Sequence, residues 1–498
     1  MPLNLSSREQ NSGHLFYQRR LRAAITRHSV RMTRDDRKHH AALVLSVVFM
    51  VIGLAWMGLL HYLRPAGLVG GSVIIGDRDS GAVYVNIDGR LYPALNLTSA
   101  RLAAGSAAAP AWVTAGEIAK YPTAPMIGIP GAPGDLRIGS SAVSAWAVCD
   151  TAASRGGGAA PAVTAIAGEL AGAGRAAPMT PTQAILVTHR DATYLLWNGH
   201  RSRIDPGDRS VTLHLGLDPA VTRPVAISNA LFDAMPAAEP IVVPVVPEVG
   251  TPSRWLADLT VGSVLETRDA AGTVSGFYAL LPGGVQKISS FVADVLRTDN
   301  PQGVAGPRLV APDQLVSIPV VDVLNVDYYP AGRLTFVDTF ANPVTCVTWQ
   351  KQAGDPTAAI TVASGRRLPV PAAQEAHVVS LVRDDRSPDS VEADHALVLP
   401  GAANLVATTS IAAVSDSRES LYWLSPQGVR YGISWDQPTL AALGLDARTA
   451  VQAPWPLVRT FAAGPALSRD GALLEHDALA GAGAVAAVPG TGSQQTGG

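Results

Sequence analysis

The sequence has few lysines and lacks the residue patterns of common catalytic motifs. Four of its 38 basic residues are lysines, and none of the four follows a glycine. The phosphate-binding P-loop requires Gly-Lys followed by Ser or Thr, so a conventional P-loop is excluded. The Gly-x-Ser-x-Gly elbow of serine hydrolases and the His-Glu-x-x-His zinc motif are also missing from the sequence. We therefore predict no catalytic residues, no metal site and no cofactor.

Charge is absent from one long segment near the N-terminus. The twenty residues from Ala41 to Leu60 contain no charged side chain, and eleven of them are Leu, Val, Ile or Phe. At a rise of about 1.5 Å per residue, a helix of this length matches a hydrocarbon core of about 30 Å. A cleaved signal peptide is the alternative, but it requires a small-residue cleavage site that HYLRPAG does not offer. The pattern predicts a retained, single membrane helix over residues 41–62.

The charges on the two sides of this segment predict its orientation. Residues 1–40 contain nine basic and three acidic side chains, a net charge of +6, whereas Arg64 is the charge nearest the other end. Because basic flanks stay in the cytoplasm, we expect the N-terminus inside and the remaining bulk of the chain outside. The full chain of 498 residues has a net charge of −2, which gives no support for a nucleic-acid partner.

The basic arm, residues 1–40, has the residue spacing of an amphipathic helix. After Ser12, a predicted N-cap, apolar side chains recur at helical intervals up to Met32, and arginines cover the other faces. Two interpretations remain open: a helix on the membrane surface, or a helix that docks a cytoplasmic partner. In the second case, the docking residues are Tyr17, Arg19, Arg20, Leu21, Ala24, Ile25 and Arg27.

The chain contains only two cysteines, Cys149 in WAVCD and Cys346 in VTCVTW. Each lies in an apolar, strand-like run and three residues from a tryptophan, Trp146 or Trp349. Two thiols on the outer side of the membrane usually pair, so we predict a disulfide between two adjacent core strands. Two free buried thiols are the alternative, and metal binding by two cysteines without nearby histidines is weaker still.

A hairpin pattern occurs four times in the exported part. In each copy an aromatic residue opens a short apolar strand, a glycine turn follows, and a second strand begins. The copies are YVNIDGRLYPAL from Tyr84, YLLWNGHRSRI from Tyr194, YALLPGGVQKI from Tyr278 and YWLSPQGVRYGI from Tyr422. Because the intervals of 110, 84 and 144 residues are unequal, we predict small modules on a separate core rather than a solenoid. Unrelated hairpins of a β-rich protein are the alternative.

These patterns predict a single-pass membrane protein with an exported α+β part, in which four small repeat modules surround a β-rich central core. The predicted segments are the cytoplasmic arm at 1–40, the membrane helix at 41–62, module 1 at 63–135, a core segment with Cys149 at 136–183, module 2 at 184–250, module 3 at 251–329, a core segment with Cys346 at 330–418, module 4 at 419–480 and a disordered tail at 481–498.

Several long motifs resemble those of the EccB family of mycobacterial type VII (ESX) secretion systems. The arm QNSGHLFYQRRLRAAITRHSVRM is similar to the family's pre-membrane motif, and GDRDSGAVYVNIDGRLYPALNLTSARL with IGIPGAP is similar to its first repeat. WAVCD and CVTW resemble the family's cysteine strands, and ESLYWLSPQGVRYGI resembles its last repeat. Within the family, the sequence looks most similar to the members from the fifth ESX system.

The resemblance implies a single-pass inner-membrane protein with a periplasmic part of a β-rich core, four repeat modules and one disulfide. It also implies a structural role in a hexameric secretion complex with the motor ATPase EccC, with EccD and EccE, and with the mycosin protease as a periplasmic neighbour. Two alternative functions accompany it. One is ATP hydrolysis, an activity attached to the family that lacks a P-loop here, and the other is peptidoglycan binding by the repeat modules.

Overall fold

The computed structural model describes residues 8–28, 35–63, 67–152, 160–172, 174–299, 306–382, 387 and 389–478. Two helices, Arg8–Arg27 and Asp35–Leu63, precede a β-rich α+β body. The described part of this body contains five sheets and one disulfide, which confirms the predicted fold class. The predicted disordered tail, 481–498, lies outside the described residues.

We call the sheet that contains the disulfide the central sheet, and we call the other four sheets 1 to 4 in chain order. Sheet 1 has the strands Ile74–Asp77, Val83–Ile87, Arg90–Ala94, Ala111–Val113, Met126–Ile127 and Glu475–His476. Sheet 2 has Gln183–His189, Ala192–Trp197, His200–Arg203, Val225–Ala226 and Thr335–Phe336. Sheet 3 has Val264–Arg268, Val274–Leu281, Gly284–Ile288 and Arg308–Leu309. Sheet 4 has Leu405–Thr409, Leu421–Leu424, Val429–Ile433, Val451–Pro454 and Ala462–Ala463.

Sheets 1 to 4 share one topology. Each begins with three antiparallel strands, continues with a helix, and adds a fourth strand parallel to the first. A second short helix follows, and the chain then runs parallel to the third strand. The helices are Leu97–Ala104 and Ala115–Ile118 in sheet 1, Arg209–Leu215 and Asn229–Asp233 in sheet 2, Ser290–Asp299 and Pro312–Val316 in sheet 3, and Gln437–Leu443 and Trp455–Val458 in sheet 4. These returning segments cover the edges that a three-stranded meander leaves unpaired.

Local sequence explains where the first helices of these units begin and end. In sheets 1, 2 and 4 an Asn or Asp side chain caps the N-terminus, and a glycine in the left-handed conformation ends the helix. The capping residues are Asn96, Asp208 and Asp436, and the glycines are Gly105, Gly216 and Gly444 with φ of 63°, 81° and 68°. The predicted hairpin turns also carry positive φ, 50° and 80° at Asp88-Gly89 and 44° and 80° at Asn198-Gly199.

The four units pack in two pairs through their first helices. The helix of sheet 1 contacts the helix of sheet 4, and the helix of sheet 2 contacts the helix of sheet 3. The first pair shares a core that contains Leu102, Trp423 and Leu440, and the second shares a core that contains Val211 and Phe291. Each such side chain stabilises the packing by about 1.5–3 kcal/mol when it is fully buried.

The central sheet has seven strands in the spatial order Val379–Ser380, His395–Val398, Ala162–Ala167, Val143–Thr151, Val344–Gln352, Ala359–Gly365 and Ala177–Pro178. Side chains alternate between its two faces. Trp146 and Val148 belong to the core on one face, while Ala147 and Cys149 belong to the core on the other. Two 3₁₀ helices, Ala372–His377 and Ala447–Thr449, and a short helix, Arg469–Ala472, complete the described elements.

The structure differs from the predicted segments at module 4. Leu405–Thr409, which the sequence placed in the core segment 330–418, is the first strand of sheet 4. Glu475–His476, placed in module 4, pairs with Met126–Ile127 of sheet 1. Leu405–Thr409 lies eleven residues before its partner Leu421–Leu424 without a tight turn between them, whereas Glu475–His476 returns from a distant part of the chain to complete sheet 1. The division into four modules and two core segments otherwise stays a prediction.

Candidate functional site

The N-terminal helix carries the predicted docking stripe. It begins at Arg8, so Ser12 lies inside the helix and the predicted N-cap there is wrong. It ends at Arg27, and Met32 lies outside the described residues. Because the helix starts at Arg8, Glu9 lies in its first turn. The negative charge of Glu9 there interacts favourably with the positive end of the helix dipole.

The structure places the predicted docking residues on an exposed helix surface. Tyr17, Leu21 and Ile25 are 62%, 44% and 71% exposed, and Ala24 is half-buried. At about 100° per residue these four side chains share one face of the helix. The side chains of Arg19 and Arg20 are exposed beside it, whereas the side chain of Arg27 lies outside the description.

Two further apolar side chains of this helix were missed by the sequence analysis. Leu15 and Phe16 are 50% and 56% exposed and lie off the stripe. The sequence marks these two residues only as large apolar side chains, because their positions do not fit the helical spacing of the stripe. The arm therefore offers apolar surface on more than one side, which is typical of a helix that packs against other proteins or lipid.

The second helix contains a candidate membrane span. Residues His40–Leu59 form a twenty-residue segment that is long and apolar enough to cross a membrane, and none of it is buried inside the chain. Phe49, Trp56 and Met57 are among its exposed large side chains. Because a core helix of a soluble protein would bury such residues, their exposure supports a lipid-facing surface.

The disulfide joins the two central strands of the molecule. Cys149 and Cys346 are fully buried and lie directly opposite each other on neighbouring antiparallel strands. Trp146 and Trp349 form the equivalent pair three residues away, on the opposite face of the sheet. The expected disulfide is therefore present. It connects segments separated by 197 positions in the chain.

A buried carboxylate beside the disulfide holds sheet 2 to the central sheet. Asp150 accepts hydrogen bonds from the Ser228 backbone N–H at 2.6 Å and from the Ser228 hydroxyl at 2.7 Å. Ser228 is in turn the N-cap of the helix Asn229–Asp233. Burial raises the pKa of Asp150 to about 7, the bonds from Ser228 oppose this rise, and the nearby Asp394 carboxyl adds to it.

A cleft of about 850 Å³ opens above this contact, between the central sheet and sheet 2. Its titratable side chains are in structural contacts. His189 bonds to Asn229 at 2.8 Å, and Arg190 pairs with Asp389 at 3.0 Å. In the described part of the chain, no group of three or more His, Cys, Asp or Glu side chains could hold a metal ion. The surroundings of the cleft thus resemble a domain junction more than a reaction centre.

Comparison with known proteins identifies relatives along nearly the whole chain. The family model "Type VII secretion system ESX-1, transport TM domain B" matches residues 3–481. The ESX-2 secretion system ATPase EccB2 of Mycobacterium tuberculosis is 61% identical over 488 residues, covering 98% of each chain. The ESX-5 secretion system ATPase EccB5 of Mycobacterium marinum is 38% identical over 486 residues, covering 96% of this chain and 95% of that protein. The prediction that the chain is most similar to the members from the fifth system was therefore wrong, because its identity is 61% to EccB2 and 38% to EccB5.

Solved structures have the same fold. A chain of an intact ESX-5 inner membrane complex has a TM-score of 0.77 and 37% identity, covering 98% of this chain and 99% of its own. The EccB3 dimer from the ESX-3 core complex has a TM-score of 0.71 and 35% identity, covering 81% of this chain and 100% of its own. From the N-terminal arm through sheet 4, this chain belongs to the EccB family of type VII (ESX) secretion proteins.

Proposed function

We propose that this chain is a structural component of an ESX inner-membrane complex and supports its periplasmic assembly. The observation that carries the proposal is that one candidate membrane-spanning segment, His40–Leu59, with no part buried inside the chain, precedes a large β-rich body. The similarity to a chain of an ESX-5 inner membrane complex, over 98% of this chain, supports it further. Because identity is 61% to EccB2 and 38% to EccB5, we infer an assembly of the ESX-2 type.

The proposed orientation has a cytoplasmic N-terminus and a periplasmic body. The net charge of +6 on residues 1–40 opposes export of the arm, and the disulfide suits an oxidising compartment. Reporter fusions at residue 10 and at residue 480 test the orientation. We expect a cytoplasmic signal from the first and a periplasmic signal from the second. A cytoplasmic signal at residue 480, or a mature N-terminus beyond Leu60, would contradict it.

We further propose that the four units around the central sheet act as modules: the first three occupy 63–135, 184–250 and 251–329, and the fourth begins at the strand Leu405–Thr409. The core is supplied by segment 136–183 and by the part of 330–418 that precedes this strand. Their shared strand order and their pairing through helices support this division. Limited proteolysis of the full chain in detergent tests it. Early cuts should fall between units, and early cuts inside the three-stranded meanders would contradict the division.

The N-terminal helix is proposed to dock cytoplasmic partners, namely EccC and EccD, in a hexameric complex that also contains EccE and adjoins the mycosin protease. The membrane helix is a sufficient anchor, so the exposed stripe of Tyr17, Leu21, Ala24 and Ile25 is available for protein contacts. A helix bound to anionic lipid is the competing use of the same surface.

A pair of double variants separates these two uses. Leu21→Asp with Ile25→Asp places two charges on the stripe, and Ala23→Asp with Thr26→Asp places the same charges on the opposite face. We expect the first pair to abolish co-purification with EccC and EccD and the second to preserve it, with membrane insertion intact in both. Complex recovery of each full-length variant on a native gel, beside liposome binding of the isolated arm peptide with the same substitutions, measures the outcome. Unchanged recovery for the stripe variant would assign the arm to lipid.

Relatives of this chain are named as ATPases, so ATP hydrolysis is the second candidate function. The sequence excludes a conventional P-loop, because none of its lysines directly follows a glycine. For a structural component, the purified full chain in detergent should hydrolyse ATP no faster than a boiled control. Turnover that follows the protein through several columns and disappears with one point mutation would instead establish an enzyme.

A further inference from the structure

A small basic groove lies where the central sheet meets sheet 4. Its volume is about 280 Å³, and it is lined by the ends of strands 143–151 and 344–352, by residues 448–452 and by Arg418. Three cationic side chains line it: Lys351, Arg418 and Arg448. No Asp or Glu is among the described residues of the lining. The groove therefore has a local positive charge in a chain whose overall net charge is −2.

Two of the three cations have no acidic partner in the described part of the chain. Arg448 pairs with Asp446 at 2.9 Å, whereas Lys351 and Arg418 form no ion pair with a described residue. The Lys351 ammonium donates one hydrogen bond, to the Gln452 side-chain oxygen at 2.8 Å. An ammonium has three donors, so Lys351 retains capacity for an anionic ligand.

A hydrogen-bond network connects Lys351 with the loop that carries Arg418. The Gln452 amide that accepts from Lys351 also donates to the backbone oxygens of Ser415 and Ser417, each at 3.0 Å. These residues lie in the loop that carries Arg418, and Thr409 ties the same loop through the Ser415 hydroxyl at 2.8 Å. One side chain thus links Lys351 to the Arg418 loop. Such preorganisation reduces the entropy lost when a ligand binds.

We propose that this groove binds the phosphate or carboxylate group of a small organic anion, for which anionic sugars serve as probes. Charged donors to an anionic oxygen make hydrogen bonds about twice as strong as neutral ones, and the volume suits a ligand of this size. An adjoining cavity of about 480 Å³, which shares Thr449 and Val451 with the groove, provides space for the uncharged part. The proposal is independent of the secretion role, because it rests on the groove alone.

Calorimetric titration of the full chain in detergent tests the proposal. The probes are glucose 6-phosphate, glucuronate and neutral glucose. We expect at least one anionic sugar to bind at least tenfold more tightly than glucose, and we expect its affinity to fall with added salt. Binding of the phosphate alone or of the carboxylate alone supports the site and identifies the group that it recognises.

Charge-removing variants place the binding in the groove. Lys351→Gln and Arg418→Gln should each weaken binding of the anion at least tenfold. The matched controls Lys287→Gln and Arg203→Gln remove cations outside the groove and should bind as the natural chain does. Equal affinity of the groove variants and the controls would overturn the proposal, as would equal binding of all three sugars or binding of none. Thermal melting of each variant verifies that it is folded.

Discussion

Removal of the disulfide should destabilise the centre of the molecule much more than its periphery. Cys149 and Cys346 close a loop of 197 positions. The chain-entropy relation then gives a loss of up to about 5 kcal/mol in the free energy of unfolding when the bond is absent. The variant Cys149→Ala with Cys346→Ala is the appropriate perturbation, because both side chains are fully buried and serine would leave hydroxyl groups in an apolar core.

The location of the closed loop predicts where the effect appears. Sheets 2 and 3, from Gln183 to Phe336, lie entirely inside the loop, so the bond does not shorten any connection within them. Strands 143–151 and 344–352, by contrast, are joined directly by it. If sheets 2 and 3 stay folded after the centre unfolds, the disulfide restricts a less flexible loop, and its contribution to the free energy of unfolding falls below the limit of about 5 kcal/mol. We therefore expect the double variant to lose about 2–4 kcal/mol, the typical range for a disulfide.

Hydrogen exchange read by mass spectrometry measures both regions in one experiment. In the double alanine variant, and in the natural chain after reduction in mild denaturant, exchange should accelerate about 30- to 1,000-fold in strands 143–151 and 344–352. Exchange in the helix pair of sheets 2 and 3, Arg209–Leu215 and Ser290–Asp299, should change far less. As a control, reductant added to the alanine variant should leave its exchange rates unchanged. Unchanged exchange in the cysteine strands, or equal acceleration throughout, would refute the reasoning.

Two further predictions concern single residues of the body. Burial raises the folded-state pKa of Asp150 from 3.8 to about 7, so its contribution to the free energy of unfolding is full below about pH 4 and is lost as the pH rises through 7. The variant Asp150→Asn should remove this part of the pH dependence of stability, measured by urea unfolding. An unchanged pH profile would contradict the assignment. Gly428→Ala should lower the free energy of unfolding by at least about 2 kcal/mol, because its φ is 80° and a new Cβ would lie 2.3 Å from the Ala396 Cβ. Gly89→Ala, also at a φ of 80° but in open space, should lower it by about 1 kcal/mol. Equal melting temperatures for the two variants would refute the steric argument.

Local signals in the sequence predicted those parts of the fold that depend on neighbouring residues. Asp88-Gly89 and Asn198-Gly199 specify hairpins because glycine accepts positive φ at little cost, and the structure has that geometry at both places. The apolar runs around Cys149 and Cys346 predicted core strands, since each is buried on both faces of the central sheet. The absence of charge from residues 41–60 predicted the long helix with the candidate span, because twenty uncharged and largely apolar residues are enough to cross a hydrocarbon core.

Local sequence patterns could not predict which strands pair when the strands are far apart in the chain. Val225–Ala226 and Ala462–Ala463 are two residues long, and their parallel partners lie more than 30 residues away, so no local periodicity marks them. Leu405–Thr409 was assigned to the core because it stands eleven residues before its hairpin partner without a tight turn between them. The groove of Lys351 and Arg418 was missed for the same reason: its cations are 67 positions apart, and Gln452, distant from both in the sequence, links Lys351 to the loop of Arg418.

The central claim is that this chain is a structural component that crosses the membrane once and supports the periplasmic side of an ESX complex. Purification from native membranes through a C-terminal tag, followed by mass spectrometry and electron microscopy of the particle, tests this claim most directly. We expect several copies of the chain in one particle with EccC and EccD, and the β-rich bodies together on the side opposite the motor ATPase. Recovery of the chain alone, as a monomer without other ESX components, would contradict the account.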